Sequence, residues 1–375
     1  MAAVVAGVGA WLPPRVVTND ELSSYLDTSD QWIRSRTGIG ARHRADPGVS
    51  TSDLATEAGT LALKSAGGSS AGNRSAGDSE VDAVIVATTT PDRMCPATAP
   101  EVATRLGLTG VAAYDVAAVC TGFLYGLASA AGLIATGTAR RVLLIGAETY
   151  STIIDPKDRG TAVIFADGAG AVVLRAGETT EPGAIGPIDL GSDGGLSDLI
   201  QIPAGGARQR ASGTAAPAED HYFQMRGRDV YRHAVERTTA SAQAALTRAG
   251  WQVDEVDRFV PHQANDRISA AVAERLGLPS ERVLSNIAHV GNTSAASIPL
   301  LLAHATLDGR LRTGHRVVLA AFGGGLTWGA TTLTWPAVTA CAEVGKPAGV
   351  GSATATAHAQ IGAPTEPLSA SRPAA

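Results

Sequence analysis

The chain has 375 residues, 45% of them apolar and 17% charged, which is enough apolar material for the core of one large domain or of two fused medium domains. Its formal net charge of −5 argues against general binding to nucleic acid. No apolar run approaches the length of a membrane span, and residues 1–15 lack a basic leader with a small-residue cleavage site. The sequence therefore predicts neither a membrane anchor nor export, and it favours a cytoplasmic location.

The three cysteines, Cys95, Cys120 and Cys341, are widely spaced, and none belongs to a C-x-x-C pair. Such spacing indicates neither a disulfide framework nor a zinc site. We therefore expect no metal and a reducing compartment.

Short apolar runs alternate with longer helical patterns along most of the chain, which is typical of α/β folds. Two segments rich in small and polar residues, 67–79 and the tail from about 338, are predicted to be poorly ordered. The predicted strands are Val84–Ala87, Ala112–Val116, Val142–Gly146, Ala171–Leu174 and Val317–Ala321.

The sequence also carries an internal repeat, because Glu80–Asp82 and Glu255–Asp257 are identical and each precedes a predicted strand. Cys120 lies 38 residues after the first repeat, and Asn292 lies 35 residues after the second. This predicts a duplicated βαβ-containing unit whose equivalent turns, at Cys120 and Asn292, converge; two unrelated α/β stretches are the alternative. The predicted units are residues 1–180, residues 181–337 and a disordered tail, 338–375.

Cys120 is the candidate nucleophile, because it lies between a predicted strand and a predicted helix. The helix would place Phe123, Leu124, Leu127, Ala131 and Ile134 on one face. A thiol at a helix start meets the positive end of the helix dipole and free backbone N–H groups, which favour the thiolate and a developing oxyanion. A small buried apolar cysteine is the alternative that position alone leaves open.

Three further motifs follow the second repeat. His262 comes directly after a predicted strand, and Asn292 lies in a turn of small residues. Phe322–Gly325 ends a strand with backbone free of side chains that would obstruct an N–H donor. Together these motifs predict that an imidazole, an amide and a backbone donor converge on the thiol, although a lone histidine is often structural.

The joint motif pattern, from about residue 3 to 336, resembles that of ketoacyl synthase III enzymes, which make β-ketoacyl-acyl carrier protein. The resemblance implies a thiolase-like, duplicated five-layer αβαβα fold with mixed sheets and buried central helices, and it implies a homodimer. The motifs are Asp27–Ile33, Arg36–Ile39, Cys120–Phe123, Asp155–Pro156, Asp158–Thr161, Val260–Asn265, Gly291–Ala296 and Phe322–Gly325.

By this resemblance, Cys120 accepts an acyl group from acyl-CoA while the N–H groups of Cys120 and Gly324 hold the oxyanion. His262 and Asn292 then stabilise the enolate that forms when malonyl-acyl carrier protein loses CO2. The product begins fatty acid or type II polyketide synthesis, and Cys95 with the Arg-rich composition tilts the expectation toward a polyketide. No metal or redox cofactor is expected.

The resemblance also implies a CoA site and a surface for the carrier protein. Trp32 and Arg159 would stack on the adenine, Arg36 would lie near the phosphates, and Asn265 would lie near the pantetheine end. The basic surface would consist of Arg226, Arg228, Arg232 and Arg267, for which a solvated helix face is the alternative.

Three positions depart from the common pattern of the family. Cys95 stands where many members have a phenylalanine that lines the primer pocket, which predicts a roomier pocket and primers larger than acetyl. Arg228 replaces a common asparagine, which leaves the pantetheine contact there open. Val119 replaces alanine before the nucleophile and is expected to shift Cys120 slightly.

Several other functions are compatible with parts of this pattern. A thiolase would carry a second catalytic cysteine near Ala321–Gly323, where none occurs, and the CoA-site motifs argue against a plant-type polyketide synthase. An acyltransferase of the same fold that moves the acyl group from CoA to another acceptor is the nearest alternative. A non-catalytic partner of another synthase is a further one, which the complete trio argues against.

Overall fold

The computed structural model describes residues 1–67 and 81–346. The predicted poorly ordered segment after Gly67 and the chain beyond 346 lie outside the described residues. The helices of the described part are α1 (Asn19–Ser23), α2 (Asp30–Thr37), α3 (Thr51–Ser65), α4 (Ala99–Arg105), α5 (Gly122–Ala135), α6 (Ala207–Ala211), α7 (Gly227–Ala249), α8 (Asp266–Leu276), α9 (Ile287–Val290) and α10 (Ser297–Leu307). The strands are β1 (Ala2–Leu12), β2 (Arg15–Thr18), β3 (Ala41–Arg44), β4 (Ala83–Ala87), β5 (Ala112–Val116), β6 (Arg141–Thr149), β7 (Asp167–Gly177), β8 (Asp189–Ser192), β9 (Ile200–Gln201), β10 (Gln224–Met225), β11 (Arg258–Pro261), β12 (Arg316–Gly323), β13 (Thr327–Thr334) and β14 (Cys341–Val344).

Two mixed sheets form the frame of the molecule. The first has the order β14-β1-β7-β6-β4-β5, and the second has the order β11-β12-β13-β8. In the first sheet β4 pairs in parallel with β5 and β6, whereas β7 pairs antiparallel with β1 and β6. Each of the five predicted strands is present, so the α/β prediction is confirmed.

Five layers follow from which face of each strand packs against which helices. In β4, Ile85 faces a central cluster that contains α5 and α10, whereas Val84 faces a second cluster that contains α3 and α4. In β12, Leu319 faces the same central cluster and Val318 faces a third cluster with α7 and α8. Because alternate strand residues point to opposite faces, the order is helices, sheet, helices, sheet, helices. This confirms the predicted thiolase-like five-layer fold.

The two central helices, α5 and α10, are enclosed by both sheets. Apolar side chains surround them on most sides, which is the pattern of a buried helix; α10 includes the buried Leu300, Leu301 and Leu302. Fully burying one such side chain contributes roughly 1.5–3 kcal/mol. The predicted inner face of α5 is buried except for Ala131, which is half-buried.

The repeat is real, but its predicted register is wrong by three residues. Asp82 accepts a hydrogen bond from the backbone of Arg141, and Asp257 accepts the same bond from Arg316, each at 2.8 Å and over an equal span of sequence. The turns that follow β5 and α9 are both 3₁₀ turns, Val119–Thr121 and Ser294–Ala296.

Each of these turns opens with a residue in the left-handed region, Val119 at φ 47° and Ser294 at φ 48°. Non-glycine residues adopt this conformation only where the surrounding structure enforces it. The structural equivalent of Cys120 is therefore Ala295 and not Asn292. The two turns share backbone shape but no residue types, so the sequence letters could not align them.

The predicted disordered tail is wrong for its first residues. Cys341–Val344 form β14, which pairs in parallel with β1 at the sheet edge, and Ser65 donates a hydrogen bond to the Thr339 carbonyl at 2.6 Å. An edge strand is held by backbone hydrogen bonds, to which composition gives no guide. Of the helices in residues 1–67 and 81–346, none is long and apolar enough to cross a membrane.

Candidate active site

A narrow cavity of about 60 Å³ lies between the two halves, and Cys120, His262 and Asn292 all line it. Cys120 comes from the turn before α5, His262 follows β11, and Asn292 precedes the second 3₁₀ turn. The structure thus brings the three predicted residues to one place. Most of the remaining lining is apolar, so charges that develop in this cavity are poorly screened.

Cys120 is held by a tight approach between its turn and the end of β12. A Cβ atom at Gly323 would lie 2.9 Å from the Cys120 nitrogen and 3.2 Å from the Thr121 nitrogen. Only glycine fits such a contact without a shift of backbone. Thr121 adds two short hydrogen bonds, to the Ala118 carbonyl and with the Thr327 hydroxyl, each 2.6 Å.

The thiol is protonated in this site, contrary to the expectation that the helix start favours the thiolate. Burial raises the pKa of Cys120 to about 12, and the charge of Glu148 acts in the same direction. The Ser294 hydroxyl and the backbone N–H of Cys120 lower the pKa, but burial outweighs them. If this sulfur acts as a nucleophile, the thiol must therefore lose its proton during the reaction.

His262 is neutral and presents one nitrogen to the cavity. Burial lowers its pKa to about 3, and its Nδ1 lies 2.6 Å from the Ser297 hydroxyl oxygen. That oxygen already accepts a hydrogen bond from the Gln263 N–H, and within the described chain its proton has no acceptor other than Nδ1. We therefore assign Nδ1 as the acceptor and Nε2 as the N–H donor.

The side chain of Asn292, like that of His262, presents an N–H donor to the cavity. Its side-chain oxygen accepts a hydrogen bond from the Ser294 N–H at 2.9 Å, which leaves the amide NH2 for the cavity. The backbone of Asn292 is fixed by two hydrogen bonds, to the Ile164 carbonyl and from the Ala166 N–H. The site therefore combines one thiol with two uncharged N–H donors.

The two predicted oxyanion donors lie near each other but differ in their position relative to the cavity. A Cβ atom at Gly324 would lie 3.3 Å from a Val119 methyl group, which places Gly324 beside the nucleophile turn. In the described part of the chain, neither the Cys120 N–H nor the Gly324 N–H donates a hydrogen bond to another residue. Cys120 and Gly323 line the cavity, whereas Gly324 is not among the lining residues.

A buried polar group behind the thiol was missed in the sequence. Glu148, at the end of β6, accepts hydrogen bonds from the Thr89 N–H and from the Thr90 hydroxyl, and burial raises its pKa to about 7. Ser294 lies close enough to lower the pKa values of Cys120 and Glu148, although its hydroxyl makes no hydrogen bond of ordinary geometry in the described chain. The sequence did carry a signal for this residue, namely a single carboxylate within an otherwise apolar strand.

A second, open cleft of about 770 Å³ leads away from the cavity, and Phe165, Met225 and Asn292 line both. Three of the residues predicted to bind CoA, Trp32, Arg36 and Asn265, line this cleft. Asn265 also caps α8 by accepting a hydrogen bond from the Ile268 N–H. The cleft is thus the wider approach to the thiol.

The predicted adenine clamp is not open. The Arg159 guanidinium carbon lies 5.2 Å from the Trp32 ring centre, and the Arg36 guanidinium carbon lies 4.4 Å from it. Arg159 donates to Asp27 at 3.0 Å and does not line the cleft. Stacking a base between Trp32 and Arg159 needs roughly 7 Å, twice the contact distance between carbon atoms, so Arg159 must swing away first.

The four predicted docking arginines divide into two pairs. Arg228 and Arg267 line the open cleft, and Arg267 also lies 5.5 Å from the Tyr231 ring centre. Arg226 is paired with Asp198 at 3.1 Å, and Arg232 lies outside the cleft lining. The departure at Arg228 therefore places a cation on the path to the thiol.

Cys95, the predicted primer-pocket residue, does not line the cavity that forms within this chain. Its side chain is exposed, and its loop is tied to the edge strand β5, where Asp115 accepts hydrogen bonds from the N–H groups of Thr98 and Ala99. The family pattern gives the residue type at this position. It does not say whether the side chain faces a pocket of its own chain or a pocket of another copy. No group of three His, Cys, Asp or Glu side chains in residues 1–67 and 81–346 is arranged to hold a metal.

Comparison with known proteins gives matches over most of the chain. The family model described as 3-oxoacyl-[acyl-carrier-protein (ACP)] synthase III matches residues 114–194, and the model of its C-terminal part matches residues 246–335. A relative from Streptomyces coelicolor, named beta-ketoacyl-[acyl-carrier-protein] synthase III 5, is 59% identical over 90% of this chain and 99% of its own length. A relative of Pseudomonas aeruginosa, beta-ketoacyl-[acyl-carrier-protein] synthase III, is 53% identical over 90% of this chain and 98% of its own length.

Solved structures are similar in the same way. The crystal structure of 3-oxoacyl-(acyl carrier protein) synthase III from Pseudomonas aeruginosa matches with a TM-score of 0.82 and 50% identity, over 90% of this chain and 100% of that one. A priming β-ketosynthase of a polyketide biosynthetic pathway matches with a TM-score of 0.81 and 32% identity, over 89% of this chain and 96% of that one.

Proposed function

Because the chain belongs to the 3-oxoacyl-[acyl-carrier-protein] synthase III family, we propose that Cys120, His262 and Asn292 carry out the reaction of that family. The enzyme is an acyltransferase that condenses an acyl primer with malonyl-acyl carrier protein. The observation that carries the assignment is the convergence of one thiol and two uncharged N–H donors on a single buried cavity.

In the first half-reaction, the Cys120 sulfur bonds to the acyl carbon of acyl-CoA and the carbon–sulfur bond to CoA breaks. The thiol proton ends on the departing CoA sulfur. The N–H groups of Cys120 and Gly324 stabilise the tetrahedral oxyanion between these events. Their lack of other partners supports this role.

In the second half-reaction, the carboxylate carbon of the malonyl group leaves as CO2, and its bonding electrons form an enolate. Nε2–H of His262 and the amide of Asn292 donate hydrogen bonds to the enolate oxygen. A neutral imidazole suits this task, because it can donate without delivering its proton to the carbanion. The enolate carbon then bonds to the acyl carbon, the bond from that carbon to the Cys120 sulfur breaks, and the released thiolate takes up one proton from solvent to restore the thiol. The reaction balances without an oxidant or reductant, so we propose that it uses no cofactor.

We place both thioester substrates in the open cleft. Trp32 and Arg36 are suited to the nucleotide end of CoA, and Asn265 lies where the pantetheine would pass. Arg228 and Arg267 offer positive charge at the cleft to an acidic carrier protein, and charge complementarity of this kind raises association rates. Arg226 and Arg232 would extend that surface outward.

We further propose that the enzyme is a cytoplasmic homodimer. Strand β5 is the edge of the first sheet and pairs only with β4 within residues 1–67 and 81–346. An edge strand with unpaired backbone groups is a natural place for a second copy to add. The Cys95 loop is attached to β5, so Cys95 would contribute to a primer pocket only across such an interface.

The product serves fatty acid synthesis or the priming of a type II polyketide, and both kinds of enzyme occur among the similar structures. We propose primers larger than acetyl, and a polyketide role as the refinement to be tested. Comparing turnover with carrier proteins of the two pathways would decide between them. Equal or better turnover with acetyl-CoA than with butyryl-CoA would contradict the proposal of larger primers.

Intact-mass analysis of wild type and Cys120→Ala, mixed with acyl-CoAs and then with malonyl-acyl carrier protein, tests the assignment. We expect acyl adducts on wild type alone, which disappear as β-ketoacyl carrier protein forms. Adducts that never yield this product would favour simple acyl transfer to another acceptor, and no adduct at all would contradict the role of Cys120.

A further inference from the structure

A third pocket, of about 550 Å³, lies apart from the active site and shares no lining residue with the cavity or with the open cleft. Three of the eight histidines of the chain line this pocket, although the proposed reaction uses none of them. They are His43 on β3, His289 on α9 and His304 on α10. Three separate elements thus bring imidazole rings to one opening in the surface.

Two of these rings are held by one nitrogen and present the other to the pocket. Nδ1 of His43 lies 2.6 Å from the Pro13 carbonyl, which can only accept, so this nitrogen is the donor. Nδ1 of His304 accepts from the Asn286 amide at 3.1 Å. Neither Nε2 atom makes a hydrogen bond within residues 1–67 and 81–346, and neither is among the fully buried unpaired atoms. Both therefore face open space, with a lone pair on His43 and an N–H on His304.

The two free nitrogens have complementary requirements. Nε2 of His43 needs a donor and Nε2 of His304 needs an acceptor. One acid group that carries a single proton supplies both, because its O–H donates to His43 while its second oxygen accepts from His304. If the proton moves to His43, the same contacts become charge-assisted hydrogen bonds to an anion. In either form the complex holds one proton between the acid and His43, which is only 8% exposed.

The charges around the two rings favour an anion. Among the lining residues in the described part of the chain, Asp308 is the only acid, and Arg310 already pairs with it at 2.7 Å. Burial lowers the pKa of His304, and the charges of Arg310 and His43 lower it further, against the opposing charge of Asp308. The remaining titratable group on the pocket wall is His289, which is exposed. A negative ligand would offset this excess of positive charge.

The rest of the pocket wall is partly apolar. Leu12 and Val290 are buried, whereas Leu307 is 53% exposed. We propose that this pocket is a second binding site, which takes a small carboxylate or phosphate with a short apolar group between His43 and His304. The proposal does not depend on the proposed function, because no residue of this pocket takes part in that reaction.

The binding test follows the imidazole C2–H signals by NMR while sodium butyrate or methyl phosphate is added, with CoA present to fill the open cleft. We expect saturable shifts of the His43 and His304 signals, and the tighter of the two probes identifies the acid as a carboxylate or a phosphate. Butylamine, which carries a cation on a chain of similar length, should shift neither signal. Absence of a saturable shift with both acids would overturn the inference.

The pH dependence of the affinity tests the shared proton. Burial lowers the pKa of His43 from its reference value of 6.5, so above pH 6.5 the free ring is neutral and the complex must take up a proton. Between pH 6.5 and pH 8 the affinity should therefore fall, by up to about tenfold for each pH unit. An affinity that stays constant over this range would contradict the proposed contact with His43.

Two variants remove the free nitrogens and spare the bound ones. In His43→Asn and His304→Asn the side-chain amide replaces Nδ1 and can keep the contacts to Pro13 and Asn286, whereas Nε2 is lost. Each variant should bind the acid about tenfold or more weakly, as expected for a lost hydrogen bond to a charged group. His221→Asn, at an exposed histidine outside the pocket, is the matched control and should bind as the wild type does.

Acylation by acyl-CoA separates this site from the active site. Both pocket variants should keep the wild-type rate of acylation, and thermal melting identifies any variant that does not fold. Wild-type affinity for the acid in both folded variants would overturn the inference. Loss of acylation in parallel with loss of binding would also overturn it, because the acid would then be bound at the active site.

Discussion

The two halves of the molecule use one backbone plan for two different chemical tasks. Equivalent residues of the two halves differ by the same number of sequence positions. This offset holds at Asp82 and Asp257, at the left-handed residues Val119 and Ser294, and at the starts of β6 and β12. Wherever one half has a reacting group, the other has alanine. The equivalent pairs are Cys120 and Ala295, His262 and Ala87, and Asn292 and Ala117.

In the proposed mechanism, this difference divides a two-step reaction between the two copies of the fold. The first half would supply the nucleophile, and the second would supply the donors for the enolate. The alanines matter as well, because a Cβ atom at Gly122 would lie 3.2 Å from the Ala87 Cβ and 3.3 Å from the Ala295 Cβ. The unused positions are thus packed closely against the start of the central helix α5.

The arrangement of the reacting groups depends most strongly on the close contact between the two halves at Gly323. In Gly323→Ala the new methyl group would meet the Cys120 nitrogen at 2.9 Å, so the nucleophile turn must move. We expect kcat to fall by about 100-fold, the usual effect of a misplacement near 1 Å. Steady-state kinetics would measure it.

Gly132→Ala is the matched control, because a Cβ atom there would meet nothing within 4 Å. Alanine in place of glycine in the helix α5 should keep full activity and raise stability by up to about 1 kcal/mol. A Gly323→Ala enzyme with wild-type kcat would show that the two halves tolerate a wider separation than the contact implies.

The role of the second half can be tested at Ser297, which fixes the ring of His262. In Ser297→Ala the Nδ1 atom loses its partner at 2.6 Å, so Nε2 is no longer held as the donor. We expect decarboxylation of malonyl-acyl carrier protein to slow by about tenfold, in line with a lost hydrogen bond of about 1 kcal/mol or slightly more. Acylation of Cys120 should not change, and equal losses in both steps would indicate a merely structural role.

The smallest expected change concerns Glu148. Since its charge raises the pKa of Cys120, Glu148→Gln should shift the pH profile of acylation to lower pH. The rate of Cys120 alkylation against pH would measure this shift, and an unaltered profile would remove Glu148 from the account.

The same variant has a predicted effect on stability. The pKa of Glu148 is about 7 in the folded protein and 4.5 in its reference state, so between these values the folded state binds more protons than the unfolded state. Stability from this group therefore falls as pH rises from 4.5 to 7. Denaturant unfolding at pH 5 and pH 8 measures this loss of stability. The loss should be smaller in Glu148→Gln than in the wild type, and an equal loss in both would contradict the prediction.

Much of the fold was readable from the sequence, because buried strands and helices carry their own apolar periodicity. The strands around Val84 and Val317 and the inner face of α5 belong to this class. The repeat was found through Asp82 and Asp257, whose carboxylates make the same backbone contact in each half. Its register was missed, since backbone angles and not side chains define the equivalent turns.

The site was predicted less completely for reasons that lie in its environment. Chain position brought Cys120 to a helix start, but the thiol's protonation depends on burial, which no local pattern reveals. The side chains of Ser297 and Glu148 act on groups that are distant from them in the sequence. The role of Cys95 stays a prediction, because its side chain does not line the cavity within its own chain.

The central claim is that the two halves carry separate steps, and one paired measurement tests it most directly. Acylation by acyl-CoA and CO2 release from malonyl-acyl carrier protein are measured in Cys120→Ala and in His262→Ala. We predict that Cys120→Ala forms no acyl adduct yet still releases CO2, whereas His262→Ala forms the adduct at near the wild-type rate but releases CO2 at least about 100-fold more slowly. Loss of both activities to the same degree in either variant would contradict the account.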